Sequence, residues 1–198
     1  LTLCSLVISI GLLLGIDHLR LEAKQSFTST VAGTDLIVGA RSGQLNLLLY
    51  TVFRIGNATN NISYKHYQQI SQHRAVAWSI PLALGDSHKG YRVLGTTADY
   101  FKFFRYGAQQ SLEFQQGQPF LQVYETVLGA EVAKKLAYKL GDQIILSHGV
   151  GAVSFSEHRG QPFTVVGILA PTGTPVDQSV HVSLLGIEAI HQGWQNGM

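Results

Sequence analysis

Hydrophobic and polar positions along the chain predict a long apolar start, followed by a mixture of short helices and strands. Residues 1–16 contain no charged side chain, and the first one is Asp17. At about 1.5 Å of rise per residue, this run spans roughly 24 Å of helix, close to the ~30 Å hydrocarbon core of a bilayer. The pattern predicts part of a transmembrane helix over residues 1–16, with a buried core helix and a signal-peptide segment as alternatives.

A helical pattern continues beyond Asp17 through Leu21-Glu-Ala-Lys-Gln-Ser-Phe. The basic start and small-residue cleavage site of a signal peptide are not visible before Asp17, which favours the membrane helix. We therefore predict a stalk over residues 17–34 that rises from the membrane. A folded domain is predicted over residues 35–198.

The folded part alternates unevenly between strand-like and helical patterns. Strands are predicted at residues 35–40, 76–84, 91–96, 144–148, 153–158 and 163–169, with Gly85-Asp-Ser-His-Lys-Gly as a hairpin turn. Helices are predicted at residues 45–53, 63–73, 97–104, 129–136 and 184–191. The many hairpins favour an α+β fold with mixed and antiparallel sheets, packed helices and two lobes, rather than a doubly wound parallel sheet.

Three segments near the centre have an order that is typical of a known family. They are Val127-Leu-Gly-Ala-Glu-Val-Ala-Lys-Lys-Leu, Leu140-Gly-Asp-Gln-Ile-Ile-Leu and Phe163-Thr-Val-Val-Gly-Ile-Leu, predicted as strand, helix, turn, strand and return strand. This order resembles the extracytoplasmic core domain of MacB-like and FtsX-like ABC transporter permeases. There, a helix containing Gly-x-x-x-Ala precedes a Gly-Asp or Gly-Lys turn, and a Val-Val-Gly-Ile strand follows. The hairpin, Gly95-Thr-Thr-x-x-Tyr-Phe and a Gly-Gln-Pro-Phe segment extend the resemblance over most of the chain.

The resemblance implies a domain of a bacterial inner-membrane permease whose bulk lies in the periplasm. Its expected partners are the membrane, a cytoplasmic ABC ATPase subunit, a second permease copy and a periplasmic or lipidated substrate. ATP hydrolysis would then drive export, extraction or mechanical signalling. The sequence contains no Gly-x-x-x-x-Gly-Lys-Ser/Thr, so the ATPase activity is expected in a separate subunit and this chain is not expected to be an enzyme.

Composition narrows the remaining function classes. The chain has 198 residues, of which 45% are hydrophobic and 13% charged, which allows a sizeable core. A net charge of +2 gives no strong field for nucleic acid, so no nucleic-acid partner is expected. The one cysteine, Cys4, lies in the apolar start, and the folded part therefore has no disulfide framework or cysteine zinc site.

The most apolar stretch outside the start is a candidate contact surface. It has two interpretations, a core helix or an exposed surface that touches the membrane, a lipidated substrate or a partner. The residues predicted for the surface are Leu45, Leu47, Leu48, Leu49, Tyr50 and Phe53.

Histidines are the candidate metal ligands. Four of the eight lie late in the chain, at His148, His158, His181 and His191, and imidazole suits zinc. We predict His148, His158 and His191 as ligands of a possible zinc ion, with Glu157 or Asp177 as an added oxygen donor. The alternative is a set of separate turn and surface histidines, which is also the prediction for His18, His66, His73 and His88.

Two other functions therefore stay open beside the permease domain. The first is a periplasmic metal- or ligand-binding module that uses His148 and His158. The second is a membrane-anchored hydrolase, although Gly-x-Ser-x-Gly does not occur in the sequence.

Overall fold

A mixed β-sheet with helices on both faces forms the centre of the computed structural model, which describes residues 2–56, 60–149 and 161–191. Six α-helices lie in this part of the chain: α1 Thr2–Thr30, α2 Gln44–Thr51, α3 Tyr64–Ser71, α4 Asp99–Phe103, α5 Ala130–Leu136 and α6 Leu184–His191. A single 3₁₀ turn, Pro175–Gln178, precedes the last strand of the described residues.

The strands are β1 Ala83–His88, β2 Tyr91–Thr96, β3 Arg105–Tyr106, β4 Gln110–Ser111, β5 Phe114–Gly117, β6 Glu125–Leu128, β7 Gln143–Ile144, β8 Ser147–His148, β9 Phe163–Leu169 and β10 Ser179–Ser183. Eight of them form one sheet in the order β5-β9-β6-β10-β2-β1-β8, with β7 paired to β9 beside this path. Two pairs, β10–β2 and β6–β9, are parallel, and the other neighbours are antiparallel. The prediction of an α+β fold with a mixed sheet is confirmed.

Side chains that alternate along the strands build a core on each face of the sheet. In β10, Val180 and Val182 pack with Val132 of α5 and Ile190 of α6. Between those two valines, His181 lies on the opposite face among the rings of α4. Because successive side chains of a strand point to opposite faces, β10 contributes to the packing on both faces of the sheet.

Residues 76–90 differ from their prediction. The strand predicted over residues 76–84 begins only at Ala83, and the segment predicted as its turn, from Gly85 to His88, belongs to β1. The turn lies at Lys89 and Gly90, whose φ values of 47° and 86° suit the two-residue hairpin turn that matches strand twist. The prediction was wrong because Asp86, Ser87 and His88 have the composition of a turn although they are buried in the sheet.

The strand predicted over residues 35–40 is also wrong. These residues lie in no strand, and the side chain of Leu36 is 75% exposed. A Cβ atom added at Gly39 would lie 2.3 Å from a methyl carbon of Leu47, so this segment approaches α2 closely. A short apolar run does not form a strand when no neighbouring strand pairs with it.

Within the described residues, no helix combines the length and the hydropathy that a membrane crossing needs. The first half of α1 carries nine large apolar side chains that are all exposed, namely Leu3, Leu6, Val7, Ile8, Ile10, Leu12, Leu13, Leu14 and Ile16. The partial membrane helix over residues 1–16 and the stalk over residues 17–34 stay predictions.

Ala137, which ends α5, gives a test of the local backbone. Its φ of 57° and ψ of 32° are left-handed, and its N–H donates to the carbonyl of Ala133. Because a left-handed residue with a Cβ costs about 1–2 kcal/mol, Ala137→Gly is expected to raise the free energy of unfolding by about 0.5–1 kcal/mol after the added chain entropy is counted. Urea denaturation measures this change.

A second alanine provides the matched control for that prediction. Ala98 is also exposed and also lies at a helix end, but its φ of −59° is right-handed. Ala98→Gly removes no strain there and is expected to lower stability by about 0.5–1 kcal/mol. Equal changes in the free energy of unfolding for the two substitutions would contradict the left-handed backbone conformation of Ala137.

Candidate functional site

The predicted apolar surface lies on α2 and the residues that follow it. α2 contains no buried residue, and Leu45 is 67% exposed. The other five predicted residues, Leu47, Leu48, Leu49, Tyr50 and Phe53, are half-buried. The Tyr50 hydroxyl donates to the carbonyl of Leu84 in β1, which holds this helix against the sheet. The six side chains are not uniformly buried, and their role as a contact surface stays a prediction.

A buried polar cluster anchors the C-terminal end of α2. Arg54 is 7% exposed, and its guanidinium donates to the carbonyl of Thr51 and, at 3.5 Å, to the Tyr100 hydroxyl. A cation that caps the last carbonyls of a helix interacts favourably with the helix dipole. The sequence pattern did not single out Arg54, because a lone arginine after an apolar helix is typical of a surface residue.

His181 belongs to the same cluster and is not a metal ligand candidate in this structure. Its ring is fully buried, 5.3 Å from the ring of Tyr100, and its Nδ1 lies 3.2 Å from the Val127 carbonyl. Burial, and then the positive charge of Arg54, lower the pKa of His181 to about 3. His181 is therefore a neutral core residue.

His88 was predicted at the surface, and this prediction is wrong. It is 4% exposed, with Nδ1 2.7 Å from the Ile145 carbonyl and Nε2 2.9 Å from the Tyr138 hydroxyl. Burial lowers its pKa, the Ile145 carbonyl opposes that change, and the charge of Lys89 adds to it. His88 is buried because it lies in β1, in the segment that was predicted as a turn.

The structure describes only some of the predicted zinc ligands. His158 and Glu157 lie outside the described residues, and of His148 only the backbone is described, in β8 opposite Asp86 of β1. His191 ends α6, and its Nε2 lies 3.9 Å from Oδ1 of Asp86. Among the described side chains, no group of three or more His, Cys, Asp or Glu residues is placed to hold a metal ion.

Asp177, the other predicted oxygen donor, has a structural role in the loop before the 3₁₀ turn. Its carboxylate accepts from the N–H and hydroxyl of Thr172 and from the N–H of Gly173, at 2.8 to 3.1 Å. These bonds fix the loop between β9 and the 3₁₀ turn, as expected of an aspartate that bonds nearby backbone.

A cleft of about 470 Å³ separates β5 from α5. Its walls include Gln115 and Gln116 on one side and Glu131 and Lys134 on the other. Glu131 also accepts from Gln178 at 2.9 Å and forms an ion pair with Lys135. Sequence reasoning did not find this cleft, because its walls come from segments that no local motif connects.

A short joint connects α1 to the core; we define it as residues Thr30 to Gly33 together with Arg105. Thr30 is buried, Val31 packs against the cluster around Tyr100, and the N–H of Ala32 donates to the Arg105 carbonyl at 2.9 Å. The guanidinium of Arg105 in turn donates to the Lys102 and Phe104 carbonyls, at 2.7 and 2.9 Å. The chain therefore passes from α1 into the core without a free linker.

Comparison with known proteins identifies the family. The family model of the MacB-like periplasmic core domain matches residues 1–196. A solved structure, the periplasmic region of MacB from Actinobacillus actinomycetemcomitans, aligns with 13% identity and a TM-score of 0.43. That alignment covers 64% of this chain and 57% of the solved one, so the chain spans less than two thirds of the structure that it matches. Comparison with curated proteins gives no match. Because the family model covers nearly the whole sequence, the chain belongs to the MacB-like periplasmic core domains of ABC transporter permeases.

Proposed function

We propose that this chain transmits movement into the periplasm when a separate cytoplasmic subunit hydrolyses ATP. It would act as part of a permease in the bacterial inner membrane, with a second permease copy beside it. The observation that carries the proposal is the joint between α1 and the core, where Val31 and Ala32 are held by packing and by a hydrogen bond. Membership of a permease domain family supports the same role.

The geometry of α1 suits a lever. Its 29 residues span about 43 Å at the usual helical rise. At its end, a β-bridge pairs Ala32 with Arg105, close to α4 and one hydrophobic cluster of the sheet. A displacement of α1 would therefore be transmitted to α4 and the packed sheet rather than absorbed by a flexible segment.

The exposed apolar side chains in the first half of α1 support a membrane anchor. Burying a Leu, Ile or Val side chain is worth about 1.5–3 kcal/mol each, so leaving nine of them in water is costly. We propose that residues 1–16 lie in the membrane and that residues 17–34 form the stalk.

The surface around α2 is proposed as the contact for a periplasmic or lipidated substrate. Leu45 is exposed there, and Leu36, Val38 and Ile55 from the flanking segments are exposed as well. Apolar side chains that stay exposed on a folded domain often mark such a contact.

Lengthening the joint tests the proposed transmission. In the complex of the permease with its ATPase, a flexible insert of four Gly and Ser residues is placed between Thr30, the last residue of α1, and Val31, the first residue after it that contacts the core. Spin labels are attached at Lys134→Cys in both permease copies, on a Cys4→Ser background that removes the one cysteine of these 198 residues. We expect the distance between the labels to change with ATP in the uninserted protein and to stay constant with the insertion, while ATP hydrolysis continues.

The control is the same insertion between Asn60 and Asn61, which are both exposed and lie far from the joint in sequence. It is expected to leave the ATP-dependent distance change intact. The proposed function fails if the uninserted protein shows no such change, or if the joint insertion preserves it.

A further inference from the structure

Arg54 has an unusual backbone for an arginine. It lies three residues after the end of α2, with a left-handed φ of 60°. The N–H of Ile55 donates to the carbonyl of Leu49 at 3.0 Å, so the chain turns away from the helix here. Glycine is the usual residue at such a position, because a Cβ atom disfavours the left-handed backbone. The backbone therefore gains nothing from an arginine, and the contribution of Arg54 to the domain comes from its side chain.

The side chain of Arg54 joins α2 to α4. Its guanidinium is buried, where it donates to the carbonyl of Thr51 in α2 and, at 3.5 Å, to the hydroxyl of Tyr100 in α4. A buried guanidinium is costly to leave without hydrogen-bond acceptors, so these two oxygens fix its position. Tyr100 is itself fully buried, and its ring stacks on that of Phe104 at 4.8 Å. The contact thus connects the end of α2 to the packed part of α4.

The same short helix, α4, also receives α1. The guanidinium of Arg105 donates to the carbonyls of Lys102 and Phe104, at the C-terminal end of α4. The Arg105 carbonyl accepts from the N–H of Ala32, and Val31 packs against the hydrophobic cluster that contains α4. The joint and the end of α2 therefore meet the core at one element.

We propose that Arg54 is a positioning residue, which fixes α2 to α4 so that the surface around α2 moves with α1 as one body. This inference rests on the proposed function, in which α1 carries movement to the domain. α2 contains no buried residue, so its orientation depends on hydrogen bonds more than that of a core helix does. Tyr50 bonds the helix to the Leu84 carbonyl of β1, and a helix held at one point can rotate about it. Arg54 supplies a second point, at the end of the helix.

Spin labels in one of the two permease copies test this role, in the complete permease with its ATPase. They are attached at Leu45→Cys on α2 and Lys134→Cys on α5, on the Cys4→Ser background. We expect a narrow distance distribution in the otherwise unchanged protein. It should be about twofold wider in Arg54→Gly, which keeps the left-handed turn but removes the guanidinium.

Guanidinium ion distinguishes a positioning role from a general loss of packing. Millimolar guanidinium chloride, far below the molar range that unfolds proteins, is added to Arg54→Gly. The distribution should become narrow again, because the ion replaces the group that bonded Thr51 and Tyr100. Damage to the backbone or to the packing would not be repaired in this way.

Lys89→Gly is the matched control, since Lys89 also has a left-handed φ, of 47°, but is exposed. It is expected to leave the distribution narrow. Tyr100→Phe keeps the ring and removes only the hydroxyl, so it carries the test if Arg54→Gly does not fold, and it should widen the distribution as well. The role of Arg54 is overturned if a folded Arg54→Gly gives the narrow distribution, or if guanidinium does not reverse the widening.

The proposed function is measured separately, by the ATP-dependent distance between the Lys134 labels of the two copies. This change is expected to persist in Arg54→Gly, because the contact of Ala32 with Arg105 is untouched. If the unchanged protein shows no such change, the transmission fails, whereas a reversible widening in Arg54→Gly would still show that Arg54 positions α2.

Discussion

Replacing Gly129 by alanine is expected to lower the free energy of unfolding by about 2–3 kcal/mol, a loss of roughly 5–10 °C in melting temperature for a chain of this size. A Cβ atom at this position would lie 2.3 Å from the Val176 carbonyl oxygen and 2.4 Å from that of Asp177. These are backbone atoms of the 3₁₀ turn, so no side-chain rotation relieves the overlap. The turn would have to move away from α5. Thermal unfolding measures the loss.

Gly43 is the matched control for this substitution. Both glycines are N-cap residues in extended conformation, with φ and ψ of −65° and 153° at Gly129 and −62° and 141° at Gly43. A Cβ at Gly43 meets only the Asn46 side chain, at an ordinary 3.8 Å. Gly43→Ala is therefore expected to change stability by less than about 1 kcal/mol. A similar loss at both positions would show that capping, and not the close approach of the turn, explains the effect.

Acidification is expected to destabilise the fold through His181. An unfolded histidine takes up a proton near pH 6.5, whereas the folded His181 does so only near its pKa of about 3. Between these values only the unfolded state gains the proton. The contribution of His181 to stability is thus fully present above pH 6.5 and falls by about 1.4 kcal/mol per pH unit below it. Lowering the pH from 6.5 to 5 should cost about 2 kcal/mol, with His88 acting in the same direction.

His181→Phe isolates this contribution. Phenylalanine keeps an aromatic ring beside Tyr100 and Phe101 but cannot titrate. Urea unfolding at several pH values measures how the free energy of unfolding changes with pH. In His181→Phe this change should correspond to about one proton fewer than in the unchanged chain. An unaltered slope in His181→Phe would mean that this histidine titrates normally in the folded state.

The centre of the fold could be predicted from the sequence because its local signals agree. Gly129, the helical spacing of Val132, Ala133 and Leu136, and the apolar run of β9 each indicate one element. The structure places β6, α5 and β9 accordingly. Even there, the sequence does not show why Gly129 is a glycine, because the two carbonyl oxygens that exclude a Cβ come from residues about fifty positions later.

The polar strand β1 and the buried histidines could not be predicted, for a common reason. Asp86 and His88 are polar, and only the strands and helices that pack around them decide that they are buried. Likewise His181 lies in β10 at the middle of the sheet, a position that depends on pairing with β2 and β6. The hydrophobic periodicity of a segment predicts which of its faces is buried, but not which strands lie beside it.

Of the candidate sites, the sequence indicated the apolar α2 helix and His191 but not their partners. The contact of Tyr50 with Leu84 and the approach of His191 to Asp86 both join segments more than thirty residues apart. The joint at Ala32 and Arg105 is of the same kind. The contacts at these candidate sites are therefore long-range, and sequence motifs do not encode them.

The most direct measurement of the proposed lever is the distance between α1 and the core within one chain. Spin labels at Asp17→Cys and Lys134→Cys, on the Cys4→Ser background, report it in the complete permease with its ATPase. If the joint holds the two parts together, the distance distribution is narrow and identical with and without ATP. A broad distribution, or one that shifts with ATP, would contradict the account, because α1 and the core would then move independently.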